Sequence, residues 1–350
     1  MRASLVSRPW AGLDIGGYSV KLLALQPGVG TVRVLAAEVP YPGAGVAENG
    51  PAPEIVSRAI AECADRAGFA LRSMRGITVG IAGPDVIVKQ IQLPLMDEAE
   101  VGPALRFETR KHLPFDPQAM VIDFQVLGRY ASDRRVDVLL AAVARDHLER
   151  HLAPLALLDL SADIVDAAPL ALSNAVVHAA GGDRTAQVLL DIGHAASHLT
   201  LFQRGEPYFS RRLDFGGRDL TRAISTALQV SQDEAEEWKL AAGSADPGFR
   251  VDWSGRELRA VHDALEGVLV DEVRRSLAFY RTLGHLPDPM RLHLSGNTAR
   301  LPGIAERLGN LLDFPVTIFD PLEDLGGAAR ARVEGGPQFA QAYGLSLRNA

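Results

Sequence analysis

Along this chain, apolar runs of strand length alternate with longer segments of helical spacing, and glycine-rich corners separate them. Residues 13–15, 20–25 and 32–39 read as successive strands, broken at Gly16-Gly17 and Pro27-Gly28. A Gly-, Pro- and Ala-rich loop spans 41–53. Ile55, Ala59, Ile60, Cys63, Ala64 and Ala67 then recur at helical spacing, and Gly68 supplies the stop. Residues 76–81 form the next strand, closed by Gly83-Pro84.

The pattern changes from residue 86. A strand over 86–91 ends at Pro94, and Asp97 with Glu100 makes a capping-box pattern. Pro103 lies too deep for a helix capped at Asp97, so the main helix is expected from about 103 to 112, stopped by Leu113-Pro114-Phe115. Strands at 121–127 and 136–143 flank a polar turn, and a helix over 145–158 follows. Together they predict a small separate lobe. Residues 188–192, 197–202 and 209–215 read as three more strands, and Gly216-Gly217 opens a helix. A charged helix over 231–240 stops at Gly243. One long helix over 257–283 presents Leu258, Val261, Leu265, Val268, Leu269, Val273, Leu277 and Tyr280 on one face. A buried strand at 291–294, a helix at 304–311, a strand at 315–319 and a helix at 338–347 complete the chain. Both halves open with the same kind of corner, so the pattern predicts a duplicated α/β fold.

Composition narrows the class. With 350 residues, 47% of them hydrophobic, two domains with full cores are expected. The net charge of -7 does not favour nucleic acid or an anionic membrane surface. The basic groups Arg106, Arg110 and Lys111, and Arg129, Arg134 and Arg135, read as solvated faces. The single cysteine, Cys63, excludes an internal disulfide and sits at a helical core position. Neither a signal peptide nor a membrane-length apolar run is visible. A soluble cytoplasmic protein is therefore expected.

The candidate chemistry lies at the corners. Leu13-Asp14-Ile15-Gly16-Gly17 is echoed by Leu190-Asp191-Ile192-Gly193-His194. An aspartate ending a buried strand needs a cation or donors to meet it. The glycine after it lets backbone N–H groups approach an anion. Two such corners facing each other would hold a metal-bound polyphosphate, with Asp14 and Asp191 on a hydrated Mg²⁺. Gly16, Gly17 and Tyr18 would offer N–H donors, Ser19 a hydroxyl and Lys21 a charge. Gly193, Ser197, Gly216 and Gly217 are the contacts expected from the second half. Leu294-Ser295-Gly296-Asn297 is a strand-to-helix turn against which a base could lie, with Gly296 and Asn297 as contacts. Glu236 and Lys239 share a helix face and suit ribose hydroxyls, although a surface ion pair is the default for that spacing. His194 and His198 have a zinc-ligand spacing only on a helix, and this segment reads as a turn and strand.

This ordered set resembles the actin and heat-shock-chaperone ATPase fold, and within it the PilM family of type IV pilus assembly proteins. The FtsA cell-division proteins are more distantly similar. Stretches that carry the resemblance include Gln92-Leu93-Pro94-Leu95-Met96, Phe107-Glu108-Thr109-Arg110-Lys111-His112, Asp123-Phe124-Gln125-Val126-Leu127-Gly128, Leu301-Pro302-Gly303 and Ala342-Tyr343-Gly344-Leu345-Ser346. The resemblance implies an actin-like (ribonuclease-H-like) duplicated α/β fold, with two domains around a nucleotide cleft and an FtsA/PilM-type insert. Residues 1–85, 160–187 and 330–350 would form domain 1, 86–159 the insert and 188–329 domain 2. It further implies an adaptor that binds ATP and Mg²⁺ and grips the N-terminal cytoplasmic tail of a PilN-like inner-membrane protein. Such an adaptor would be peripheral to the inner membrane through that partner and would relay nucleotide state to pilus motor ATPases. Self-association is left open.

By the same resemblance, Asp166 stands near the acidic residue directed at the attacking water. His194, Ala195, Ala196 and Asn297 depart from the pattern, so weak or absent hydrolysis is expected. An FtsA-like filament protein is the alternative, although the amphipathic terminal helix of that class is not expected after Arg348. A sugar or acetate kinase would need a polar substrate insertion that the sequence does not display.

Overall fold

The computed structural model describes residues 9–27, 32–43, 50–112, 116–179, 185–203, 206–243, 255–282, 291–323, 333 and 335–348. In chain order these form β1 (Trp10–Ile15), β2 (Ser19–Pro27), β3 (Val32–Pro40), α1 (Pro53–Ala67) and β4 (Gly76–Ile81). Next come β5 (Ile87–Pro94), α2 (Glu98–His112), β6 (Met120–Tyr130), β7 (Arg135–Ala144), α3 (Arg145–Ala156), β8 (Ile164–Ala167) and α4 (Ala168–Ala179). The second half holds β9 (Gln187–Ile192), β10 (Ser197–Gln203), β11 (Glu206–Leu213), α5 (Gly217–Leu228) and α6 (Gln232–Ala242). It continues through α7 (Arg256–Ala264), a π-helical stretch (Leu265–Val270), α8 (Asp271–Thr282), β12 (Leu292–Ser295), α9 (Ile304–Leu312), β13 (Val316–Ile318) and α10 (Ala340–Ser346).

Two five-stranded sheets repeat one topology. The first runs β3-β2-β1-β4-β8 and the second β11-β10-β9-β12-β13. In each, a three-stranded antiparallel meander is followed by two parallel strands. Alternation along the strands decides which face meets which layer. Ala11, Leu13, Val20 and Leu22 face α1 with Ile60 and Cys63. Val188, Leu190, Ile192, Leu199 and Leu201 face the α5, α7 and α9 side. The opposite faces look towards each other across α4 and α10. Helix α10 lies on β1, β2 and β4, α4 reaches β10 and β11, and the two helices pack together. Their core joins Leu23 and Val34 of the first sheet to Leu189 and Phe202 of the second, through Leu172, Val176, Phe339 and Tyr343.

The third sheet, β5-β7-β6, is antiparallel and packs one face on α2 through Ile91, Leu93, Val101, Leu105, Val138 and Leu140. Here the structure corrects one expectation. Helix α2 starts at Glu98, and the Asp97 N–H donates to Glu100 Oε2 at 2.8 Å, as a capping box does. Pro103 sits inside the helix, where burial of Val101 and Leu105 on the sheet outweighs the hydrogen bond it cannot make. The expected stop at 113–115 lies outside the described residues, as do parts of the 41–53 loop. The long helix of the second half is likewise not uniform: its π-helical turn brings Leu269 and Val270 inward together.

Close approach between layers leaves no room for side-chain growth. A Cβ on Gly344 of α10 would lie 1.8 Å from the Ala171 carbonyl oxygen of α4. Gly344→Ala is therefore expected to cost about 3 kcal/mol in urea unfolding; a change under about 0.5 kcal/mol would contradict this packing.

Candidate functional site

The same alternation aims the two aspartates. With Leu13 turned to the α1 core, Asp14 faces the space between the sheets. With Leu190 and Ile192 turned to the α5 side, Asp191 faces it too. Both line one cavity of about 270 Å³, near the lower end of the ~300–1,000 Å³ common for small-molecule sites. Each corner is the same turn. The Gly16 N–H donates to the Ser19 carbonyl at 3.0 Å, and the Gly193 N–H to the Ala196 carbonyl at 3.1 Å. Strand register then pairs Asp14 with Lys21 and Lys21 with Glu38. In the second sheet it pairs Asp191 with His198 and His198 with Arg212. The duplication is therefore residue by residue, but the second copy carries a histidine and an arginine where the first carries a lysine and a glutamate.

Charge concentrates at the first corner. Lys21 Nζ lies 3.5 Å from Asp14 Oδ2 and 3.9 Å from Glu38 Oε1. Gln341 of α10 donates to Asp14 Oδ1 at 2.9 Å, and Ser295 of β12 donates to Asp191 Oδ1 at 2.7 Å. Ser19 and Asn297 both donate to Glu38 Oε1, at 2.6 and 2.7 Å. Burial pushes the Asp14 carboxyl up, Lys21 opposes this, and the charge of Asp191 adds to it. Burial also pushes Asp191 up, against the Ser295 hydrogen bond and Lys21. Burial alone would lower Lys21, but Asp14, Glu38 and Asp191 together hold it above its ordinary value. Asp14, Glu38 and Asp191 all act on the one ammonium of Lys21, an acidic cluster in a buried site. That cluster fits a hydrated divalent cation, which takes few protein carboxylates and prefers water and phosphate oxygens. Among the described residues no cluster of three or more His, Cys, Asp and Glu side chains forms a metal cage.

The tips of the two corners meet. The Tyr18 and His194 rings lie 5.4 Å apart across the cleft. Burial, with Glu236 and Glu38 nearby, pushes the Tyr18 hydroxyl up to about 12. Burial, then Lys239, lowers His194 to about 4, and burial with Arg212 does the same to His198. Deeper along the cavity, Lys239 Nζ contacts Glu236 Oε2 at 2.7 Å, Thr221 Oγ1 at 2.8 Å and the Gly217 carbonyl at 2.9 Å. Thr221 also donates to Glu236. This pair is buried, not the surface ion pair its spacing suggests by default. Leu240, Gly243, Thr298, Arg300 and Leu301 line the remaining end. Gly296 adopts φ +91°, and a Cβ there would lie 2.3 Å from the Ile192 carbonyl oxygen, so the turn can press against β9 only with glycine.

Of the residues singled out in the sequence, Asp14, Gly16, Gly17, Tyr18, Lys21, Asp191, Gly193, Gly217, Glu236, Lys239, Gly296 and Asn297 line this one cavity. Four do not. Ser19 is fully buried and spends its hydroxyl on Glu38. Ser197 pairs with Ile192 on the α5 side of the sheet and donates to the Phe215 carbonyl at 2.6 Å, because it stands one strand position away from His198. Gly216 is the N-cap of α5, behind the second turn. Asp166, on β8, pairs with Arg348 at 3.3 Å, away from the cavity lining, and burial raises its carboxyl against that guanidinium. Asn297 lines the cleft, but its amide grips Glu38. Sequence reasoning missed Glu38, Gln341, Ser295, Thr221, Arg212 and the cleft role of His198. Two signals were available: Glu38 is the lone acid in an apolar strand, and His198 follows Asp191 at the same interval as Lys21 follows Asp14.

Comparison with known proteins places this geometry. The family model for the type IV pilus assembly protein PilM matches residues 12–350. The solved PilM-PilN type IV pilus biogenesis complex superposes with a TM-score of 0.79 and 27% identity, over 97% of this chain and 98% of that one. MreB5 of Spiroplasma citri bound to AMPPNP superposes with a TM-score of 0.50 at 13% identity, over 98% and 96% of the two chains, a likeness of fold alone. The cell division protein FtsA of Bacillus subtilis is 27% identical over 146 residues, 38% of this chain and 33% of that protein. The FtsA of Borreliella burgdorferi matches over 42% of its own length, so the chain spans well under half of these curated relatives. The fold is that of the actin-like ATPases.

Two outcomes test the electrostatics. Lys21→Met leaves three carboxylates without their ammonium and is expected to cost about 3 kcal/mol at neutral pH in urea unfolding. Carboxyls raised in the folded state take up protons there first, so the deficit should shrink as pH falls from 7 to 5; a pH-independent deficit would contradict the arrangement. His194 and His198, lowered to about 4 when folded, titrate near 6.5 when unfolded. Their contribution to stability is complete above 6.5 and is lost as pH falls towards 4. Imidazole ¹⁵N NMR at pH 5.5 should find both rings neutral.

Proposed function

This chain belongs to the type IV pilus assembly protein PilM family, and on that premise we propose that it is a nucleotide-controlled adaptor. In this reading ATP and Mg²⁺ occupy the cleft, and the N-terminal cytoplasmic tail of a PilN-like inner-membrane protein binds against the β5-β7-β6 lobe. The observation that carries the nucleotide half is the convergence of Asp14 and Asp191 on one cavity, with the charge of Lys21 acting on both. Asp14 and Asp191 would hold a hydrated magnesium ion, which would supply positive charge against the phosphates.

The protein's own groups do the rest. Gly16, Gly17 and Gly193 bring backbone close to the phosphate path, and Lys21 balances charge along it. Glu236, held by Thr221 and Lys239, offers its carboxylate to ribose hydroxyls, while Lys239 spends its three N–H donors on Glu236, Thr221 and the Gly217 carbonyl and so fixes that grip. Leu240, Gly243 and the turn at Gly296 leave room for a base. Binding without rapid turnover is favoured, since Asp166 pairs with Arg348 and lies outside the cavity lining.

For the partner, the likeness to the PilM-PilN complex supports a PilN-like protein. Phe107 of α2 and Phe124 of β6 stand exposed on the lobe, where an apolar peptide face could use them. No helix among the described residues is long and apolar enough to cross a membrane, so a place at the inner membrane would come through this partner. A nucleotide acts as a switch only where the partner binds the two states with different free energies.

Thermal unfolding tests the first half. At a concentration a hundredfold above its Kd, Mg-ATP should stabilise the wild type by about 2.7 kcal/mol and raise Tm, while Asp14→Ala should show no shift. Equal shifts in both proteins would contradict the assignment. For the second half, Phe107→Ser should weaken capture of a fluorescent PilN N-terminal peptide at least tenfold and leave ATP affinity unchanged; loss of both together would count against a separate peptide surface.

A further inference from the structure

One junction between the nucleotide cleft and the β5-β7-β6 lobe carries two histidines, while β5 also packs against β11, whose Arg212 lines the cavity. Gly80, Ala82 and Gly83 form part of the cavity wall. The chain leaves that wall through Pro84 and Asp85 directly into β5, and returns from β7 directly into α3. On α3, His147 and His151 stand one turn apart on the same face. His147 Nδ1 lies 2.6 Å from Asp85 Oδ1, and His151 Nε2 lies 2.8 Å from the Gly80 carbonyl oxygen. Both acceptors are oxygens without a hydrogen, so each of those ring nitrogens is the donor. The two rings meet edge to face, 6.0 Å apart. A Cβ on Gly83 would lie 2.4 Å from His147 Cε1, so the ring occupies the space that glycine leaves open.

The rest of α3 is anchored elsewhere. Leu155 is buried in the α1 core of the first sheet, and Leu152 and Leu158 pack beside it. The helix is thus fixed at its far end, continuous with β7 at its near end, and hydrogen-bonded in between to the cleft wall. Gly80 also pairs in register with Asp14 on the neighbouring strand, and the charge of Asp14 reaches His151. None of His147, His151 and Asp85 lines the cavity itself.

We infer that His147 and His151 are positioning residues that clasp the wall of the nucleotide cleft to α3, and so make the placement of the β5-β7-β6 lobe depend on what fills the cleft. This deepens the proposed function, on which it rests, by giving the route from nucleotide to the partner-binding lobe. A wall pushed by a ligand carries Asp85 and the Gly80 carbonyl with it. Through the two imidazoles that displacement arrives at the first turns of α3, where β7 ends.

The test is hydrogen–deuterium exchange with and without Mg-AMPPNP, on wild type, His147→Ala, Asp85→Ala and His147→Asn, with affinity measured calorimetrically on the same samples. Wild type should show nucleotide-dependent protection both at 80–85 and in β5, β7 and α2. His147→Ala and Asp85→Ala should bind within about threefold of wild type and keep the change at 80–85, yet lose it in the lobe. Asparagine can place its amide donor near the position of Nδ1, so His147→Asn should restore the lobe response, which a merely space-filling role would not predict. Wild-type lobe protection in His147→Ala, or none in the wild type despite binding, would overturn the clasp. Failure of the wild type to bind Mg-AMPPNP would instead overturn the nucleotide reading itself.

Discussion

Two aspartates that end two buried strands, with the charge of Lys21 acting on both, set the terms for the rest of the molecule. Burial makes each carboxylate costly, and Asp14, Glu38 and Asp191 all draw on the same ammonium. Such a site persists only if the backbone holding it cannot relax. The back-to-back packing of α4 and α10, with Gly344 against the Ala171 carbonyl, keeps the two sheets at a fixed separation. Stability built elsewhere in the molecule offsets a locally unfavourable arrangement.

Duplication supplied the geometry, and substitution made the halves unequal. Register superposes Lys21 on His198 and Glu38 on Arg212. The first corner is an acidic cluster around one ammonium; the second is a neutral imidazole backed by a guanidinium. Glu38 is also tied to the other half through Asn297, at 2.7 Å. Asn297, which lines the cleft, thus also acts as a strut across it.

Much of the fold was legible because period-two strands, Asp-x-Gly corners and a clear helical stop at Gly68 are local signals. The start of α2 was misread because Pro103 was judged by propensity alone, while burial of Val101 and Leu105 decided the outcome. At the site, Asp14 and Asp191 could be paired because the corner occurs twice. Ser197 could have been excluded from sequence, since it lies at odd strand parity to His198. Gln341 and the Asp166–Arg348 pair could not be found that way: their partners are distant in sequence, and only the packing of the terminal segment brings them close. Local chemistry was readable, and contacts made by tertiary closure were not.

The most direct measurement is a crystal structure with Mn²⁺ and AMPPNP, using the anomalous signal to locate the metal. A single Mn²⁺ peak within water-bridged reach of both Asp14 and Asp191, with the phosphate chain between Gly16–Tyr18 and Gly193–Ala195, is the expected result. A nucleotide bound with its metal remote from both carboxylates, or an empty cleft at saturating ligand, would contradict it.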